Sequence, residues 1–188
     1  MLPILAIYLV MMKPANAPVD PDASMVIVAS RYVQDVTGNT FKVNITLVNV
    51  NAMWGWSCVI NWNSAIVNCT NVELGPFNPN GAFANYVIDN AGGKIAKLAV
   101  GTTATDTETG SGVAGILTFK TKGLGSVNLN VSGANYKDYP GMVKYDLPVT
   151  QAPIDVVPEF PTLLIIPLFL ITTVAIAIMT KKRWMKKY

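Results

Sequence analysis

The chain has 188 residues, 51% of them hydrophobic and 13% charged, with no histidine and two cysteines. That length holds one ordinary domain plus additional segments, and the lack of histidine excludes Ser-His-Asp and Cys-His catalysis and the usual zinc sites. The net charge of +3 is uneven: between Pro18 and Phe160 eight basic residues stand against all eleven acidic ones, a net −3, so no basic face points to nucleic acid.

At the N-terminus, Leu2 to Met12 is an apolar run of signal-peptide length, and Ala15-Asn16-Ala17 has the small-x-small form of a cleavage site. No basic segment precedes the run, and Pro18 would come directly after the cut, so an uncleaved anchor stays open as the alternative. Either reading exports the segment between the two apolar ends.

From Ser24 to Val157 no amphipathic helix is expected. Short β-rich runs alternate with Gly, Asn, Asp and Pro clusters, at 25–33, 40–50, 53–62, 65–74, 85–89, 94–100, 112–120, 126–132 and 142–149. About nine strands at this spacing predict an all-β sandwich. Asp89-Asn90-Ala91-Gly92-Gly93 predicts a hairpin turn, since Asn and Gly accept positive φ. Alternation assigns faces. Phe41, Val43, Ile45 and Leu47 share one side, opposite Lys42, Asn44 and Thr46. Trp54, Trp56, Cys58, Ile60 and Trp62 share another, and Val127, Leu129 and Val131 lie opposite Asn128, Asn130 and Ser132.

If Asn63-Ser64 is a two-residue turn, Cys58 falls opposite Cys69, within disulfide reach. A Cys58–Cys69 bridge is therefore expected, with two buried free thiols as the alternative. The sequons at Asn44, Asn68 and Asn130 each put their Asn on an outward face, as glycosylation needs. Trp56 and Trp62 are expected in the core with Ile60. Trp54, near a strand start, is the expected exposed ring for ligand stacking. The loop Asp106-Thr107-Glu108-Thr109-Gly110 offers oxygen ligands to Ca²⁺ at Asp106 and Glu108, though fewer than an EF-hand loop, so a solvated polar loop is the simpler reading. No cofactor is otherwise expected. No spacing pairs two carboxylates as in a glycosidase, and no catalytic residue is assigned.

Several stretches together resemble the cohesin domain family. They are Phe41-Lys42-Val43-Asn44-Ile45, Trp56 to Val67, Val72-Glu73-Leu74-Gly75, Gly112 to Lys120 with its apolar-Thr-Phe-Lys end, and Gly125-Ser126-Val127-Asn128-Leu129. The family's Asp-Pro after the aromatic is Asn63-Ser64 here. The resemblance implies a jelly-roll sandwich related to cellulose-binding modules, and a binding role toward a dockerin-like protein or a polysaccharide.

At the C-terminus, Leu163 to Thr180 is eighteen residues without a charge, succeeded by KKRWMKKY. As a helix it would span about 27 Å, close to the hydrocarbon core of a bilayer. The basic cluster keeps that end cytoplasmic, and Trp184 suits the headgroup region. Pro158-Glu159-Phe160-Pro161 with the apolar run and basic tail also resembles an archaeal surface-protein sorting signal of the Pro-Glu-Phe type. That likeness implies cleavage near 158–160 and lipid attachment. A plain stop-transfer anchor after a proline-spaced linker is the alternative.

The expected organisation is a signal segment at 1–17, a sandwich ectodomain at 18–150, a Pro-rich linker at 151–162, a transmembrane helix at 163–180 and a cytoplasmic tail at 181–188. The expected function is a single-pass, cell-surface binding module. A structural envelope component and a surface polysaccharide hydrolase are the rival readings.

Overall fold

A computed structural model describes residues 20–29, 32–35 and 38–158 of the chain. The expected signal segment, transmembrane helix and basic tail lie outside the described residues. Among the described residues no helix is long and apolar enough to cross a membrane. The regular elements are strands: β1 Ser24–Ala29, β2 Tyr32–Asp35, β3 Thr40–Asn61, β4 Val67–Leu74, β5 Phe83–Asn85, β6 Ile88–Asp89, β7 Lys94–Gly101, β8 Glu108–Thr121, β9 Gly125–Val127, β10 Asn130–Asp138, β11 Lys144–Asp146, β12 Val149–Gln151 and β13 Ile154–Pro158.

The long strand β3 organises the fold by serving two layers. In its first half Val43 lies between Ala29 of β1 and Leu117 of β8. In its second half Ser57 lies between Asn135 of β10 and Ala99 of β7. One layer is β12-β1-β3-β8-β4 and the other is β11-β10-β3-β7, edged by β5 and β6. A strand passing between layers has to bend. Asn49 and Ala52 supply the bend with φ of 53° and 48°, where the register with β8 slips between Leu47, Val50 and Met53. Hydroxyls of β8 take up the freed amides: Asn49 N–H donates to Ser111 Oγ and Ala52 N–H to Thr109 Oγ1, each at 2.9 Å. A small sheet, β2-β13-β9, accompanies the sandwich.

The alternating side chains fill the core. Val43, Ile45 and Leu47 from one half of β3, Trp56, Cys58 and Ile60 from the other, and Trp62 directly after its end, are all buried. Trp62 meets Phe119 of β8 edge-on, with ring centroids 5.4 Å apart. A polar knot holds Trp56. Its Nε1 donates to Asn78 Oδ1 at 2.9 Å, while Asn78 Nδ2 donates to Gly75 O and Ala114 O at 2.8 and 2.7 Å.

Five expectations are corrected. The runs 40–50 and 53–62 are one strand, because the bend at Asn49–Ala52 interrupts the register without ending the pairing. The run 126–132 is two strands in different sheets, β9 beside β13 and β10 beside β3. Asn63-Ser64 does not close a β3–β4 hairpin. Both sides of β3 there are occupied, Asn61 facing Lys94 and Asn130. Asn63 instead caps a local turn, accepting from the amide of Ala65 through Oδ1 and from those of Ile66 and Val67 through its carbonyl. The chain then enters β4 as a partner of β8. Cys58 therefore lies opposite Leu98 and Cys69 opposite Phe119, and both are free, buried thiols. Finally, the expected linker from residue 151 begins with strand: Ile154 and Val156 of β13 are buried, and β13 joins β2 to β9. The expected turn at residues 89–93 is present between β6 and β7.

Candidate functional site

The outer face of the β10-β3-β7-β5 layer is built by cross-strand register. Asn135, Ser57, Ala99 and Asn85 stand side by side on four strands, and Lys137, Gly55, Gly101 and Phe83 form the adjoining row. The second row has no side chains at its centre. At Gly55 a Cβ would come within 2.6 Å of Val100 O, so the close strand approach requires glycine there; at Gly101 a Cβ would meet nothing within 4 Å. The space forms a shallow depression of about 200 Å³ lined by Trp54, Ser57, Lys97, Ala99, Asn135 and Lys137. A neighbouring depression of about 190 Å³, lined by Asn85, Tyr86, Val87 and Ala96, shares Lys97 and Ala99 with it. At the β5 side Phe83 is 55% exposed and Val87 72%.

The polar centre of this face is satisfied internally. Ser57 Oγ donates to Asn135 Oδ1 at 3.2 Å and Asn135 Nδ2 donates to Gly133 O at 2.7 Å. The charges are not. Lys42, Lys94 and Lys144 pair with Glu73, Asp89 and Asp146, whereas among the described residues Lys97 and Lys137 have no carboxylate partner. No acidic residue lines either depression.

The residues singled out by sequence fall in separate places. Trp54 is half-buried at the rim of the larger depression, its Nε1 donating to Ala104 O at 2.9 Å. Asp106 and Glu108 do not converge with a third ligand: Asp106 Oδ2 accepts from Asn80 Nδ2 at 3.2 Å, Glu108 faces Met53, and among the described residues no group of three metal-ligating side chains forms. Asn130 is exposed at the start of β10, while Asn44 and Asn68 are half-buried, with Asn68 Oδ1 enclosed and unpartnered. Burial pushes the Cys58 thiol up to about 12 and the Cys69 thiol up to about 11, so neither supplies a thiolate nucleophile near neutral pH. Burial, reinforced by Asp20 accepting its hydroxyl at 2.7 Å, likewise raises Tyr136. Lys97, Lys137 and Gly101 escaped sequence reasoning. Their side-by-side placement depends on pairing between strands far apart in the chain, and the only local sign is the glycine closing the β7 run.

No family model and no curated protein sequence matches the chain. Solved structures do. A non-cellulosomal cohesin from the hyperthermophilic archaeon Archaeoglobus fulgidus superposes with a TM-score of 0.59 at 14% identity, covering 74% of this chain and 94% of that one. The cohesin module of a Clostridium perfringens family 33 glycoside hydrolase gives 0.62 at 14% identity, covering 73% and 98%. The fold is that of a cohesin module. A Clostridium thermocellum type I cohesin–dockerin complex is similar too, with a TM-score of 0.60 at 12% identity over 78% of this chain and 99% of that one. The resemblance seen in the sequence thus holds at the level of fold.

Proposed function

We propose that this chain is a non-catalytic binding module of cohesin type that docks a folded, dockerin-like protein on the outer face of β10-β3-β7-β5. In this reading the apolar segment 163–180 holds the module at the outer surface of a membrane. One observation carries the proposal: Trp54 and Val87 line two adjoining open depressions that share Ala99, and the exposed Phe83 stands on β5 in the next row of the same layer, a clustered apolar surface of the kind that marks an interaction site. The shallowness of both depressions suits a protein surface better than an enclosed small molecule. The absence of histidine and the burial of both thiols support a non-catalytic role. Cohesins of this fold from C. thermocellum and Acetivibrio cellulolyticus were solved with dockerins bound. The uncharged stretch and the basic tail support the membrane placement.

Gly101→Phe tests the site, because it fills the depression from a position with open space above it. Surface plasmon resonance against a panel of dockerin modules, alongside a glycan array, is expected to find a dockerin bound by the wild-type chain and lost in Gly101→Phe at an unchanged melting temperature. Binding that survives the substitution, or binding to glycans alone, refutes the proposal.

A further inference from the structure

We infer that the partner's contact surface is acidic, presenting a carboxylate between Lys97 and Lys137 beside an apolar side chain seated on Trp54 and Ala99. This inference rests on the docking face proposed above and adds the chemistry of its occupant.

Uncompensated charge selects the occupant. Two exposed lysines belong to one depression, Lys137 on β10 and Lys97 on β7, with β3 between their strands. Neither has a carboxylate partner among the described residues; Lys120 and Lys122 have none either, but neither of those lines the depressions, so what sets Lys97 and Lys137 apart is that two uncompensated ammonium groups flank one cavity. The hydrogen-bonding capacity between them is partly occupied, since Ser57 and Asn135 bond to each other and to Gly133. A partner covering this face with neutral or basic groups would leave two ammonium groups desolvated without compensation, an unfavourable arrangement. A carboxylate compensates both at once. The apolar half of the occupant is set by Ala99 and the Trp54 ring, whose N–H is engaged by Ala104 O. The net −3 of the region from Pro18 to Phe160 makes these lysines a local reversal of its overall charge. Complementary charge of this kind acts mainly on encounter rate and specificity.

The test uses the full chain in detergent micelles as bait, with a whole-cell extract of its source and the polyuronate alginate as two separate probes. The protein captured by the wild-type chain and not by Gly101→Phe is purified for titration. Lys97→Arg with Lys137→Arg is expected to bind it as the wild type does. Lys97→Met with Lys137→Met is expected to weaken binding about tenfold at low ionic strength, chiefly through a slower association rate, and to flatten its salt dependence. Zero-length carbodiimide coupling is expected to join Lys97 or Lys137 to an Asp or Glu of the captured protein. All variants should melt with the wild type, since both lysines are exposed. If the double Met variant binds unchanged while Gly101→Phe does not bind, the face stands and the acidic chemistry is refuted. If no captured protein is sensitive to Gly101→Phe, the docking face itself is refuted, and this inference with it. Alginate binding that needs both lysines and Trp54 and exceeds that of any captured protein overturns the inference in favour of an anionic polysaccharide.

Discussion

Asn78 is half-buried in the segment between β4 and β5, and its amide satisfies three groups at once: the indole N–H of Trp56 and the carbonyls of Gly75 and Ala114. Removing one member of such a set leaves its partners unsatisfied, which costs more than the net worth of the bonds. Asn78→Ala is expected to lower unfolding free energy by about 2–4 kcal/mol in urea titration. Asn78→Asp is expected to be worse, because it keeps the acceptor for Trp56 but directs a carboxylate at two carbonyls. Loss below about 0.5 kcal/mol would show that the knot contributes little to stability. The thiol of Cys58 makes a second prediction at this scale. Its folded value, about 12, lies above its ordinary one, so folding favours the neutral thiol. The associated stability is intact below the ordinary thiol range and is lost as pH rises from about 9 toward the folded value. Each unit is worth about 1.4 kcal/mol, so denaturant midpoints should fall steeply between about pH 9 and 11. Tyr136 steepens the same trend at higher pH, since burial and Asp20 raise it too. Cys58→Ala should show a lower midpoint at pH 7 and a shallower alkaline slope; an unchanged slope would mean another group dominates.

Among the strands, β4 shows how an edge is closed. Among the described residues it pairs only with β8, yet Cys69 N–H donates to Asn90 Oδ1 and Asn90 Nδ2 donates to Cys69 O, each at 2.8 Å. The side-chain amide thus stands where a neighbouring strand's peptide would, and Tyr86 Oη donates to Val72 O at 3.3 Å further along. Unpaired edges invite association with other chains. Asn90→Ala is therefore expected to cost about 1–2 kcal/mol and to raise hydrogen exchange at the Cys69 amide selectively. Equal protection in variant and wild type would refute the edge-closing role. The strands differ in how far their own residues reveal them. The alternation of Phe41 to Leu47 and of Val127 to Val131 was legible, because burial on one side imposes a period of two. That β3 changes layers was not, since its bend needs only two residues at positive φ and hydroxyls supplied by β8 about sixty residues away. The same non-local pairing hid the site. Lys137, Gly55 and Gly101 are scattered in sequence and adjacent only once β10, β3 and β7 are in register. Asn78 and Asn90 were equally hidden, as nothing local separates a structural amide from an ordinary loop residue.

For the molecule as a whole, the boundary of the folded unit lies further along the chain than composition implies. Prolines at 148, 153 and 158 read as a spaced linker, but prolines are tolerated at strand ends, where an amide need not enter a ladder. Pro153 precedes β13 and Pro158 closes it, leaving Ile154 to Val157 to pair with β9 on one side and β2 on the other. Ile154 and Val156 are 2% and 3% exposed, so they belong to the core as fully as Ile45 or Leu117. Each such side chain contributes about 1.5–3 kcal/mol on burial, and β13 also carries the only strand pairing of β2 among the described residues. A chain ended after Ala152 should therefore have an unfolding free energy lower by several kcal/mol, read from denaturant titration, than one ended after Pro158, or fail to fold. Restoring the segment with Ile154→Ser and Val156→Ser should not recover the loss, because the ladder would return without the buried methyl groups. Equal stability of the two truncations would return residues 153–158 to the status of a tether and leave the sandwich complete at β12.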